Sequence, residues 1–222
     1  MILLLLLMIA AGVLVSGRVS IPNRYNPWAN FDAREEPGVL TRLKLARLRA
    51  DFPQCLVALK TTALKASPLP DRTTGDCPLL ATVRVTGSDV AFSSPYTATC
   101  AVATAWGAFE RHALQPAALR HFGQRVVRVE HLGSFACRSI AGRDRLSEHA
   151  SANALDIAGF VLADGRRISV LSDWKGGGDK AAFLRDLRDG ACRFFNVTLG
   201  PDYNAAHANH FHLDMGGYRI CR

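Results

Sequence analysis

The sequence predicts an α+β fold with a central, largely antiparallel β-sheet and flanking helices. Three observations carry this expectation. Segments with helical spacing of apolar residues dominate the first half, up to about residue 122. Short β-branched or alternating segments dominate after Val126. Two of these flank Ala163-Asp164-Gly165, a hairpin turn signal. Helices followed by hairpin-connected strands pack as an α+β domain.

Taken in order, Val39–Ala50 places Leu40, Leu43, Leu45 and Leu48 near helical spacing, with arginines opposite. A second helix is expected over Phe52–Ala66, then a Pro- and Thr-rich loop over Ser67–Asp76 and a strand over Leu79–Val85. Cys100–Leu114 is apolar and long enough for a buried helix, and Pro116 opens another, since proline is tolerated in a first helical turn. Val126–Glu130 reads as a strand and Ser134–Cys137 as strand-like. Ala154–Leu162 and Arg167–Leu171 form the hairpin arms. Gly176-Gly-Gly178 reads as a flexible loop, Lys180–Arg188 as a helix stopped at Gly190, and Phe194–Leu199 and His210–Met215 as closing strands.

The chain has 222 residues and a net charge of +8, with the cations spread along its length. Such spread suits a solvated face or attraction to an anionic surface. No basic run interleaved with aromatics appears, so a nucleic-acid partner is not expected. Residues Ile2 to Val15 are apolar without a break, the signature of an export segment, either a signal peptide or an uncleaved anchor in the inner membrane. The expected organisation is 1–17 signal anchor or peptide, 18–38 juxtamembrane linker, and 39–222 one domain outside the cytoplasm, in the periplasmic or extracytoplasmic space. Within the linker, Trp28-Ala-Asn-Phe31 is expected to rest either on the membrane interface or on the domain. Six cysteines without a CxxC motif, in an exported chain, imply three disulfides. Pairing of sequence neighbours gives Cys55–Cys77, Cys100–Cys137 and Cys192–Cys221 as the expected set.

The chemistry concentrates in two segments. In His207-Ala-Asn-His210-Phe-His212-Leu-Asp214, strand alternation points His210, His212 and Asp214 to one face and Phe211, Leu213 and Met215 to the other. In Ser147-Glu-His149-(x6)-Asp156, Asp156 lies inside a strand between Leu155 and Ile157, where an unpartnered charge is expensive. If these strands are neighbours, His149, Asp156 and His212 converge as three nitrogen and oxygen ligands. That number leaves a fourth position for water, the pattern of catalytic zinc. His210, about 7 Å along the strand from His212, is the expected general base or oxyanion partner. Asp214 is expected either to orient a ligand histidine or to be a strand-end acid. Arg138 is expected either to hold an anionic substrate group or to be a solvated or ion-paired arginine, with Ser147 and His207 also on the substrate side. His112, His121 and His131 are expected on helix surfaces or in the core.

The pattern Ser147-x-His149-x6-Asp156 with His210-x-His212 resembles the zinc site shared by lysostaphin-type peptidases, D-alanyl-D-alanine peptidases and hedgehog domains. More closely, Cys137-Arg138, Ser147-Glu-His149-Ala, Ala152-Asn-Ala-Leu-Asp156-Ile-Ala-Gly-Phe160, Ala191-Cys192, Leu199-Gly-Pro201 and His207-x-x-His210-Phe-His212-Leu-Asp214 resemble the bacterial extensin-like C-terminal domain family, from about Cys55 to Arg222. The resemblance implies a metallopeptidase-like fold. It also implies zinc on His149, Asp156 and His212, catalytic support from His210, and cleavage of cell-wall peptides. Two positions depart from the D-alanyl-D-alanine branch: Ala152 stands where glycine is usual, and Asn209 where a catalytic glutamate is usual. The functions expected are therefore a zinc peptidase or amidase acting on peptidoglycan peptides, or a membrane-anchored, zinc-stabilised module that grips the cell wall without cutting it.

Overall fold

The computed structural model describes Leu4 and residues 21–140 and 142–222. The export segment expected at 1–17 lies, apart from Leu4, outside the described residues. After a 3₁₀ turn at Asn23–Tyr25, the chain forms α1 (Thr41–Arg47), α2 (Phe52–Leu59), β1 (Lys65–Pro68), β2 (Arg72–Thr74), β3 (Cys77–Leu79), β4 (Thr82–Gly87), β5 (Ala91–Phe92) and β6 (Tyr96–Thr99). Then come α3 (Cys100–Phe109), a π-helical turn (Glu110–Leu114), α4 (Gln115–Phe122), β7 (Val126–Gly133), a 3₁₀ turn (Glu148–Ser151), β8 (Ala154–Leu162), β9 (Arg167–Ser169) and α5 (Val170–Asp173). Last are α6 (Gly178–Ala191), β10 (Val197–Leu199), a 3₁₀ turn (Ala205–His207), β11 (Phe211–Asp214) and β12 (Ile220–Cys221).

The α+β expectation holds. The main sheet runs β12-β10-β11-β8-β7-β5, with β9 beside β8. β8 is antiparallel to β7, β9 and β11, while β5 joins β7 and β12 joins β10 in parallel. β8 is therefore the spine. Along one edge it pairs first with β11 and then with β9, and along the other with β7. A smaller sheet, β1-β4-β6, and the β2-β3 hairpin stand apart.

Every residue of α3 is buried, which its sequence Cys-Ala-Val-Ala-Thr-Ala-Trp-Gly-Ala-Phe permits: only Thr104 carries a polar side-chain group besides the Trp106 indole N–H. That N–H donates to Glu110 Oε2 at 3.2 Å, and Ser88 Oγ donates to the same carboxylate. Burial raises the Glu110 pKa above the usual carboxylate range.

Where boundaries differ from the sequence expectation, hydrogen bonding explains it. α2 begins as expected, because the Asp51 carboxylate caps Gln54 N at 2.9 Å, but it stops at Leu59 rather than Ala66. The Thr61 and Thr62 hydroxyls take the last carbonyls, of Ala58 and Leu59. The stretch expected as a loop over Ser67–Asp76 instead holds the end of β1 and all of β2. Leu79–Val85 is two strands broken at Ala81, whose backbone is left-handed (φ 51) and whose carbonyl accepts from Cys100 N. Ser134–Cys137 is not a strand, because β7 pairing ends at Gly133 (φ 116). Val170 and Leu171 belong to α5 and not to the hairpin arm. Gly178 is the first residue of α6, and the helix runs through Gly190. There a glycine serves close packing rather than termination: a Cβ at Gly190 would meet the Ala113 Cβ at 2.9 Å. The closing strands are shorter than expected, at Val197–Leu199 and Phe211–Asp214.

Three disulfides are present: Cys55–Cys100, Cys77–Cys137 and Cys192–Cys221. Only the last matches the sequential pairing. Sequence neighbourhood fails for the others because α2 packs on α3, bringing Cys55 to Cys100, while β3 lies against the 3₁₀ turn at 148–151 and meets Cys137.

Candidate metal centre

His212 and Asp156 sit directly opposite each other in the β11/β8 ladder, so adjacency of the two strands sets this half of the site. On its other edge Asp156 pairs with Gly133, where β7 ends. The chain then turns, and the Ser134 carbonyl accepts Nδ1–H of His149 at 2.9 Å. His149 itself is carried by the 3₁₀ turn Glu148–Ser151. Ser147 caps that turn, its Oγ accepting His149 N at 3.3 Å. Ala152 closes it in left-handed backbone (φ 53), where an L side chain is strained.

The ring hydrogen bonds decide which nitrogens are free. His149 gives Nδ1–H to Ser134, which leaves Nε2. His212 gives Nε2–H to Asp214 Oδ2 at 2.9 Å, which leaves Nδ1. These two remaining nitrogens lie 3.1 Å apart. Asp156 closes the triangle, with Oδ1 3.0 Å from His212 Nδ1 and Oδ2 3.2 Å from His149 Nε2. Two imidazole lone pairs aimed at each other repel, and a proton or a cation relieves them. Without a cation, a proton fills the role. Burial disfavours the charged ring of His212, but hydrogen bonds to Asp156 and Asp214 outweigh it and raise its pKa to about 9. Burial likewise pushes the Asp156 carboxyl up, yet the imidazoles of His149 and His212 beside it hold it well below the carboxylate range. The donor set, with each ring fixed by an outer carbonyl or carboxylate, is the chemistry of a small divalent cation site. Among the described residues it is the one such group of three, its ligand atoms all within 4.8 Å of one another.

The other expected residues surround this triangle. His210 sits just before β11, its Nε2 3.5 Å from Asp156 Oδ2 and its Nδ1 2.8 Å from Asn209 Oδ1. His207 stands 5.2 Å from His210 and 5.8 Å from His212, ring to ring, with Nδ1 2.7 Å from Asn204 Oδ1. Desolvation and the neighbouring imidazoles lower the pKa of His207 to about 4, and desolvation also lowers that of His210. Arg138 is exposed, and its charge contributes to the lowering at His210. Ser147 is engaged as the cap of the His149 turn. His112, His121 and His131 lie elsewhere, bonded to the Ala33 carbonyl, Asp186 and the Ser94 carbonyl. His131 lies on strand β7 and not on a helix.

Sequence reading left out three supporting groups. The Ser134 carbonyl carries no side-chain signal at all. Asn204 and Asn209 do carry one: an amide three residues before His207 and one directly before His210, each placed to fix a ring. Asp214, for which two roles stood open, is the orienter of His212. Asp214→Asn should therefore weaken divalent-metal affinity by about 10–100-fold, the usual cost of losing an outer partner. A competitive chelator titration measures it, and unchanged affinity would contradict the role.

The sequence pattern of the family described as extensin-like protein C-terminus matches residues 53–222. No curated protein and no solved structure matches the chain.

Proposed function

The chain belongs to the extensin-like protein C-terminus family, and from that premise we propose that it is a zinc-dependent hydrolase, a peptidase or amidase, acting on peptidoglycan peptides. The observation that carries this reading is the convergence of His149 Nε2, His212 Nδ1 and Asp156 with a further imidazole, His210, beside them.

His149, Asp156 and His212 would hold the ion. Bound zinc supplies Lewis acidity, which brings the pKa of a water to about 7 and polarises a carbonyl. His210 supplies proton transfer. With Nδ1–H given to Asn209, its Nε2 lone pair is free, and its lowered pKa keeps the ring neutral at pH 7. That nitrogen can take a proton from the attacking water and return it to the departing amine. Burial of the cluster keeps bulk water out: the Asp156, His210 and His212 side chains retain only 11–14% exposure. Arg138 is suited to a substrate carboxylate by a forked contact. A cleft of about 290 Å³ flanks Gly133–Phe135 and carries two more guanidinium groups, Arg72 and Arg84. Three disulfides support an oxidising compartment outside the cytoplasm. No helix among the described residues is long and apolar enough to cross a membrane; the proposed anchor is the apolar run Ile2–Val15, read from the sequence.

A second reading, a cell-wall-binding module without catalysis, is favoured by one observation: Asn209 stands where the D-alanyl-D-alanine branch carries its catalytic glutamate. Cleavage of muropeptides separates the two.

The metal assignment has its own test in proton release. The metal-free His212 ring, raised to about 9, is protonated at pH 7, and an ion on Nδ1 must displace that proton. The sign follows. Relative to an ordinary value of 6.5, this pairing stabilises the metal-free fold fully below 6.5 and less and less as pH rises through about 9. Zinc binding at pH 7 should therefore release about one proton from this ring, and none above pH 10. Calorimetric titrations in buffers of different ionisation enthalpy read the net release, to which a zinc-bound water adds, and zero net release at pH 7 would contradict a protonated His212 giving up its proton to the ion.

A further inference from the structure

The segment between the export sequence and α1 divides its aromatic residues between two environments. Phe31 and Ala33 enter the core, and Ala33 N donates to Thr61 Oγ1 at 2.8 Å. Trp28 does the opposite: it is 81% exposed, and Ile21 and Tyr25 are exposed with it. This exposure is not the result of a loose segment. Lys44, itself buried, reaches the Asn23 carbonyl at 2.7 Å and Asn23 Oδ1 at 2.9 Å. Arg47 donates to the Pro27 carbonyl. Asn23 Nδ2 donates to the Asn30 carbonyl at 3.2 Å, and Gln54 Nε2 to Asn30 Oδ1 at 2.8 Å. The strap is thus clamped at Asn23, Pro27, Asn30 and Phe31, and Tyr25 and Trp28 project between the clamps.

Two further apolar side chains adjoin it. Gly38 lies against the Arg24 carbonyl, and the next residue, Val39, is 88% exposed. Leu43, also exposed, is one helical turn before Arg47, on the helix face that holds Pro27. Cations border this patch. Arg24 lies over the Tyr25 ring at 4.8 Å, and Arg47 is exposed. Of the three acids of the same stretch, Asp32 is paired with Arg34, Glu36 lies 3.8 Å from the His112 ring, and Glu35 lines a pocket together with Arg24.

Single exposed apolar residues need no explanation, but a fixed cluster with Trp and Tyr does. Their rings suit the boundary between headgroups and hydrocarbon, and arginines suit anionic headgroups. The length of chain outside the strap names the occupant. The apolar run ends at Val15, and the residues from Ser16 to Ile21 span at most about 20 Å even when extended. A membrane entered by that run is within reach of the strap, and Arg18 adds a cation between them.

We propose that Tyr25, Trp28, Val39 and Leu43, bordered by Arg24 and Arg47, form a seat that rests on the surface of an anionic bilayer and fixes the domain against it. The seat rests on the anchor reading of Ile2–Val15, and the experiment keeps the two apart. The full chain is reconstituted in phosphatidylglycerol-containing vesicles with lipids brominated near the headgroup, beside a Trp28→Phe variant. Trp106 and Trp174 are buried, at 0% and 3% exposure, so the difference between the two proteins isolates Trp28. The seat predicts a blue-shifted Trp28 component that loses most of its emission to shallow bromines. Arg24→Glu, or purely zwitterionic lipid, should restore much of that emission. A chain that floats with the vesicles while Trp28 stays unquenched and solvent-like overturns the seat alone and leaves this face for a protein partner. Quenching that is indifferent to Arg24→Glu and to lipid charge overturns the anionic recognition. A chain that does not float overturns anchor and seat together.

Discussion

Replacing either His149 or His212 with alanine is expected to strip the protein of stoichiometric metal. The native chain should carry about one zinc, as a single three-ligand site implies. Each histidine supplies one of the two lone pairs that face each other at 3.1 Å, His212 from β11 and His149 from the 3₁₀ turn before β8. The loss of affinity should exceed the 10–100-fold expected for the outer residue Asp214. His212→Ala has a second effect. It leaves Asp156 and the buried Asp214 without the ring that joins them, and breaking such a buried arrangement costs about 3–5 kcal/mol. His149→Ala avoids most of this, because its outer partner is a backbone carbonyl. Elemental analysis of both variants, with circular dichroism as a fold control, decides the matter. Full zinc retention in the double variant would sink the assignment.

His210→Ala is expected to behave differently. Its Nε2 is 3.5 Å from Asp156 Oδ2, outside the triangle of ligand atoms, and its other nitrogen is committed to Asn209. Zinc content should stay largely intact while turnover falls by about 10²–10⁴-fold, the scale of general acid–base assistance. Loss of zinc together with activity would make His210 a ligand and not a proton carrier. A change of less than threefold in turnover would remove it from the mechanism.

Much of this site is legible in the sequence because strand chemistry is periodic. Alternation in Phe211-His212-Leu213-Asp214 separates core from site, and an acid between Leu155 and Ile157 demands a partner, which the facing His212 supplies. The groups that fix ring tautomers are harder to see. The Ser134 carbonyl becomes a partner only because β7 stops at Gly133 and the chain bends toward His149. The Ser147 Oγ, expected on the substrate side, also accepts His149 N as the cap of the 3₁₀ turn, a role decided by backbone geometry.

Disulfide topology fails for a different reason. Cys55 and Cys100 are 45 residues apart, and the strands of the smaller sheet fall between them in sequence. Nothing in local pattern reveals that α2 folds back on α3. The same non-local packing explains Gly190, whose sequence signal is a helix stop and whose actual role is contact with Ala113. Trp28 and Phe31 sit three residues apart in one polar, proline-containing stretch, and only the structure shows one outside and the other in the core.

The most direct test of hydrolysis is incubation of the zinc-loaded protein with purified muropeptides, read by mass spectrometry beside His210→Ala. The account predicts cleaved stem peptides, with water added across an amide, for the native protein, and little or no cleavage for the variant at equal zinc content. If both proteins bind muropeptides equally and neither cleaves any, the hydrolase reading is wrong and the cell-wall-binding module stands.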